Sequence, residues 1–168
     1  GWVNRYSSEG GMTHTLMIQH VVCAVRGGIA SQETVNSAIE LALKAEAKLT
    51  IVHVIDPTCL DCGEISASSA AYREYVEKAE SALCARCAQA RERGVTQAEF
   101  LLREGDIRNE LRRLAVETDA ELLILGEPQP DSDQNMFAPE EFHRFVAELD
   151  FGGDLRTIRV GHDRRGRA

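Results

Sequence analysis

Two Cys-x-x-Cys pairs, Cys59-Leu-Asp-Cys62 and Cys84-Ala-Arg-Cys87, are separated by 21 residues, close to the spacing of a four-thiolate zinc site. Four thiolates so arranged would hold Zn2+ tetrahedrally and staple the fold. The second pair, however, falls inside a long amphipathic pattern that predicts a helix. Cys84 would lie about 22 Å down that helix from Ser69, at about 1.5 Å per residue, so the loop pair would have to fold back along it. Cys87 also falls on the apolar stripe, where a cysteine serves as a small core residue, and Cys23 reads the same way inside an apolar run. Structural thiols are the reading, with a zinc-stapled variant as the alternative. Cys59 and Cys62 alone could close a reversible disulfide, but Asp56, Asp61 and Glu64 around them raise a thiol's pKa and disfavour a reactive thiolate.

The five histidines, His14, His20, His53, His143 and His162, show no metal-ligand spacing. His53 is the one to watch, because it closes on a strand end, although a satisfied core or rim imidazole accounts for it. Gly-x-Ser-x-Gly, His-Glu-x-x-His, the Walker Gly-x-x-x-x-Gly-Lys and the Rossmann Gly-x-Gly-x-x-Gly are all absent. The usual hydrolase and nucleotide-transfer machinery is missing, so no catalytic residue is assigned and a weak ATPase is the most that is expected.

Composition narrows the field further. The chain has 168 residues, 43% apolar and 27% charged, the profile of an ordinary globular domain. Its net charge of −8 works against sequence-independent binding to nucleic acid or anionic lipid. No apolar run approaches the roughly 20 residues of a membrane helix, so no membrane insertion is expected. There is no Asn-x-Ser/Thr sequon or signal-peptide pattern, and a reduced, cytoplasmic setting follows. Residues 1–17 read as a flexible N-terminal arm, 18–160 as a single domain and 161–168 as a basic tail. The first residue is Gly1 rather than Met, which suits a module attached to a larger protein such as a transporter or kinase.

The elements that must position these residues follow from periodicity. Ile18 to Val25 is a first strand ended by Arg26-Gly27-Gly28. Ser31 caps a helix that carries Val35, Ile39, Ala42 and Leu43 to about Ala47. Leu49 to Ile55 is a second strand, followed by an irregular stretch. A long helix from about Ser69 to Arg93 is stopped by Gly94. Val95 to Leu102 is a third strand, and Asp106 caps a helix with Ile107, Leu111 and Leu114 on one face. Glu121 to Gly126 is a fourth strand, Glu127 to Ala138 a loop long enough for a functional role, Pro139 the start of a fourth helix, and Leu155 to Val160 a fifth strand. Strands alternating with crossover helices predict an α/β fold, an open, doubly wound parallel sheet with helices on both faces, which takes ligands at the carboxyl ends of its strands. The ligand-binding candidates are therefore Arg26, Gly27 and Gly28 after the first strand, Val54 and Asp56 at the end of the second, Gly105 after the third, and Gly126 at the end of the fourth. Arg26 could bind an anionic small molecule or pair with a loop carboxylate such as Asp56, a reading that stands level with that of a plain surface arginine.

Taken together, His20-Val-Val-Cys-Ala-Val25, Leu49-Thr-Ile-Val-His-Val-Ile-Asp56, Gly105-Asp-Ile and Thr118-Asp-Ala-Glu-Leu-Leu-Ile-Leu-Gly126 resemble, in order and spacing, the universal stress proteins. The resemblance covers about Gln19 to Val160. It implies a five-stranded open sheet, adenine-nucleotide binding in some members, and commonly a dimer through the last strand, here Leu155 to Val160. ATP-binding members resemble one another in an Asp just after the first strand and in a Gly-x-x-Gly loop with a later Gly-Ser or Gly-Thr. Here Arg26 stands at the Asp position, Gln129 replaces the second Gly, and Phe137 to Phe142 holds no Gly-Ser pair. Pro128 and Pro130 remove backbone donors, and Asp131 and Asp133 place negative charge where a phosphate would sit. The expectation is a regulatory or dimerisation module with no cofactor. The alternative is a stress protein that binds ATP, AMP or another anion at the sheet edge.

Overall fold

The computed structural model describes residues 2–6, 12–25, 29–55, 70–118, 120–126, 139–149 and 154–158. Its elements, in chain order, are the strands β1 (Trp2–Tyr6), β2 (Met12–Met17) and β3 (His20–Val25), the helix α1 (Ile29–Ala45), the strand β4 (Lys48–Ile55), the helix α2 (Ala70–Arg93), the strand β5 (Ala98–Glu104), the helix α3 (Ile107–Glu117), the strand β6 (Leu122–Gly126), the helix α4 (Pro139–Glu148) and the strand β7 (Asp154–Ile158).

β5, β4, β3 and β6 lie side by side in that order, all parallel, and the backbone of Asp154–Ile158 pairs along the outer side of β6. The chain moves outward from β3 through β4 to β5, then returns over α3 to β6 on the other side of β3. Right-handed crossovers therefore put α1 and α2 on one face and α3 and α4 on the other. The side chains divide accordingly. Val21, Cys23, Leu49, Ile51 and Ile124 pack with Val35, Ile39, Leu83, Cys87 and Ala90 of α1 and α2. Val22, Ala24, Val52, Val54, Leu123 and Leu125 pack with Ile107, Leu111, Leu114, Phe142 and Phe145 of α3 and α4. The apolar runs in β3, β4 and β6 are buried on both faces, as central parallel strands must be. The doubly wound parallel sheet expected from the sequence is thus present in these strands.

The helix ends show how local chemistry sets the boundaries. α1 closes through Ala47 N–H to the Ala42 carbonyl at 2.9 Å, which forces Glu46 to a φ of 54°, a conformation usually left to glycine. α2 closes in the same way on Gly94, at φ 116°, with Val95 N–H on the Ala90 carbonyl at 3.0 Å. Val95 is consequently used to finish the helix, and β5 starts at Ala98 rather than Val95. It runs on through Arg103 and Glu104 because β4 still offers Val54 and Ile55 as partners. Asp106 caps α3, its carboxylate accepting from Asn109 N–H at 3.0 Å.

Within the stretch 1–17, read from sequence as an arm, the backbones of β1 and β2 pair antiparallel. Trp2 to Arg5 pair with Met17 to His14, and a register shift precedes the Tyr6 and Met12 pair. Thr and aromatic residues in these two segments supply strand propensity that an absence of amphipathic periodicity concealed. Among the described residues no helix is long and apolar enough to cross a membrane.

Candidate functional site

The reversal of strand order between β3 and β6 places the ligand edge where Val25, Ile55, Glu104 and Gly126 end their strands. Of the residues expected there, Arg26, Gly27, Gly28 and Asp56 lie outside the described residues, as does the loop after Gly126. Val54, Gly105 and Gly126 can be placed.

Val54 is 1% exposed, its side chain packed under α3 and α4, so only its backbone can face a ligand. Gly105 turns the chain at φ 147° and donates its N–H to the Ile55 carbonyl at 2.9 Å, joining the ends of β4 and β5. A Cβ there would meet Glu110 Oε2 at 3.1 Å. Glu110 is itself buried and paired with Arg103 at 3.6 Å and Arg113 at 2.9 Å. At Gly126 a Cβ would stand 2.7 Å from Thr34 Oγ1. Thr34 is buried in the second turn of α1, and its carbonyl faces the Cys23 thiol at 3.9 Å. Gly126 is therefore accounted for by the Thr34 side chain, and Gly105 by its backbone conformation, with the end of the Glu110 side chain close beside it.

Near this edge lie Tyr72, which the sequence did not single out, and His53, which it did. Tyr72, buried near the start of α2, donates its hydroxyl to the Glu104 carboxylate. Burial and the Glu104 carboxylate push the phenol up to about 12. His53 is buried on the α1 and α2 side, and burial holds its pKa below the ordinary histidine value. His20 lies at the opposite, amino edge, where Nε2 meets Thr50 Oγ1 at 2.7 Å. Thr50 in turn donates to Glu99 at 3.4 Å, and Glu99 pairs with Lys48 at 2.8 Å. Lys48 holds the Glu99 carboxyl below the usual range. This chain of contacts ties three strands together and has no access to the ligand edge. His143 is exposed on α4, edge-on to Phe142.

The structure separates the helical cysteines. Cys84 is exposed, whereas Cys87 is 1% exposed within the core, where burial pushes its thiol up. Cys23 is pushed to about 12 for the same reason. Cys59 and Cys62 lie outside the described residues, and among the described residues no group of three His, Cys, Asp or Glu could hold a metal.

A model of the universal stress protein family matches residues 17–135. Among solved structures, the chain is similar to the universal stress protein UspA from Lactobacillus plantarum, at 14% identity and a TM-score of 0.65, over 87% of this chain and 99% of that one. It is similar at 20% identity and a TM-score of 0.62 to a universal stress protein in complex with cAMP, over 87% of this chain and 100% of that one. A universal stress protein from Archaeoglobus fulgidus in complex with dAMP matches at 14% identity and a TM-score of 0.52, over 87% and 100% of the two chains. No curated protein matches the chain.

Proposed function

The chain belongs to the universal stress protein family, and on that premise we propose that it works as a regulatory or dimerisation module that neither holds nor hydrolyses ATP. One observation carries the reading. Gly126, the glycine of the phosphate loop that this chain retains, has its open space taken by the Thr34 hydroxyl, so its presence is explained without a nucleotide. The loop that follows is poor in the groups a triphosphate needs. Pro128 and Pro130 lack N–H donors, and Asp131 and Asp133 repel phosphate oxygens.

A second reading has its own support. Two of the similar structures hold cAMP and dAMP, nucleotides with a single phosphate and a smaller demand on such a loop. On this reading the edge at Val54, Gly105 and Gly126 takes an adenine nucleoside monophosphate.

The edges of the sheet support assembly through β7. The far edge, β5, is guarded by charge: Arg91 donates to the Ala98 carbonyl at 2.7 Å, Lys48 pairs with Glu99, and Arg103 pairs with Glu117. Asp154–Ile158 pairs with β6 on one side, and no strand covers its other side among the described residues. Two copies meeting there would extend the sheet.

Native mass spectrometry and calorimetric titration with Mg-ATP, AMP and cAMP test these readings together. The expected result is a dimer that shows no saturable ATP binding up to about 1 mM, an affinity worth only about 4 kcal/mol. Micromolar ATP binding would overturn the first reading, AMP or cAMP binding without ATP would favour the second, and a monomer would overturn the assembly.

A further inference from the structure

β7 runs parallel to β6 with Ile158 opposite Gly126, so the chain leaves the sheet at the same edge at which β3, β4, β5 and β6 end. The ten residues that follow, Arg159 to Ala168, hold four arginines against the single Asp163, a net +3 in a chain whose total is −8. The edge they issue from carries the opposite sign. Glu104 ends β5, Asp106 caps α3, and Glu140 and Glu141 stand in the first turn of α4, all four of them exposed. Arg108 pairs with Glu141 at 2.7 Å and so brings the starts of α3 and α4 together at this rim. Of the arginines on the same ends of these elements, Arg108 is thus paired, Arg103 pairs with Glu110 and Glu117, and Arg73 stands exposed in the first turn of α2. With two of the three already matched to carboxylates of the fold, Glu104, Asp106 and Glu140 leave the rim net negative.

The distances suit a contact between the two. Neighbouring strands lie about 4.8 Å apart, so the edge from β7 to β5 measures about 19 Å. An extended chain gains about 3.3 Å per residue, so the sixth residue beyond Ile158 reaches the end of β5. That residue is Arg164, followed at once by Arg165, while Arg159 stays at the start of the path. Exposed ion pairs are individually weak. A segment tethered beside its site, however, meets it at an effective concentration of about a millimolar, and several such pairs then act together.

We propose that Arg159 to Ala168 folds back along the carboxyl edge as an internal strap, its arginines held by Glu104, Asp106 and Glu140. The edge of the sheet is then occupied by a basic segment of the same chain, and a molecule from solution has to displace that segment to enter. Because the contacts are ionic and exposed, salt releases the strap. The inference rests on the placement of β7 and on charge, and it does not depend on whether a nucleotide binds.

The test is 15N relaxation of the full chain at about 25 mM and about 500 mM NaCl, between which the Debye length falls from roughly 20 Å to roughly 4 Å. Order parameters of the Arg164 to Arg167 amides are expected to exceed about 0.6 at low salt and to drop below it at high salt. Glu104→Gln combined with Glu140→Gln should lower them at low salt as well. Replacing Arg164, Arg165 and Arg167 together by Ser should shift the amide signals of Gly105, Asp106 and Glu140 at low salt and leave those of Lys48 and Glu121, at the opposite edge, in place. The strap is overturned if the arginine amides are already below about 0.6 at low salt, if the two glutamines leave their order unchanged, or if the serine variant moves no signal at the rim. Order that rises with protein concentration would assign the segment to a second copy and overturn the internal strap too.

Discussion

Placing a methyl group on Gly126 tests whether that glycine serves packing or a ligand. The added Cβ would lie 2.7 Å from Thr34 Oγ1, about 0.7 Å inside the 3.4 Å at which ordinary contact begins. Thr34 is 2% exposed and β-branched on a helix, so its side chain has few rotamers to turn to. Relief requires α1 to move against β6, and overpacking of this kind costs about 2 kcal/mol. For a chain of this size that lowers Tm by about 4–8 °C. Thr34→Ala removes both the clashing oxygen and the methyl, leaving Thr34 Cβ at 3.7 Å from the new group. Gly126→Ala in the Thr34→Ala background should then be close to neutral, a coupling of about 2 kcal/mol in a double-mutant cycle. Urea denaturation of the four proteins measures it. If Gly126→Ala costs less than about 0.5 kcal/mol, or if the two substitutions are additive, the notch does not explain the glycine and the case against ATP loses its support.

The remaining predictions concern groups whose environments differ sharply. Cys87→Ala should cost about 1 kcal/mol or more by urea denaturation, because its thiol is in the core, while Cys84→Ala should stay within about 0.5 kcal/mol. Asp106→Ala removes the acceptor for Asn109 N–H and should cost about 1 kcal/mol, read as a lower thermal midpoint by circular dichroism. His53 is held below its ordinary value of 6.5 in the folded chain, so below that pH the unfolded chain binds the extra proton. Stability should therefore fall on acidification from pH 6.5 down to the depressed folded value. His53→Gln should remove that slope while leaving the loss of the Lys48 and Glu99 pairing at lower pH, where the Glu99 carboxylate is protonated. Urea midpoints at a series of pH values separate the two windows.

How much of this was legible in sequence depended on whether the deciding interaction was local. β3, β4 and β6 could be read directly, since strands buried on both faces must be continuous apolar runs. The end of α2 at Gly94 and the Asp106 cap of α3 were equally plain, because each is settled within one turn. The start of β5 was not, because Val95 is apolar and β-branched yet is held by the Ala90 carbonyl as the closing residue of the helix. Nor could sequence show the network of His20, Thr50, Glu99 and Lys48, whose members come from three strands far apart in the chain. At the ligand edge, Gly105 and Gly126 were visible as glycines at strand ends. Their partners, Glu110 and Thr34, were not, and Thr34 belongs to a different βα unit.

That last point bears on how a degraded motif should be read. In a doubly wound sheet the carboxyl edge is both where ligands enter and where the helices that follow each strand pack down, so one glycine can answer to both demands. A glycine held by a neighbouring side chain is retained for folding even when no ligand calls for it. Its presence at position 126 is thus no measure of nucleotide binding, which leaves the composition of residues 127 to 138 as the feature to weigh. Whether this edge can hold a phosphate turns on them, and two prolines without N–H groups and two aspartates are a composition that weakens an anion's grip rather than providing one. A loop swap follows from the argument. Replacing Pro128 to Asp133 with a glycine-rich, uncharged segment, with Thr34 and Gly126 untouched, should strengthen ATP binding measurably. If the swapped protein folds with an unchanged thermal midpoint and still ignores ATP, the obstacle lies elsewhere on the edge, and Arg26, at the position where ATP-binding relatives carry Asp, becomes the residue to change next.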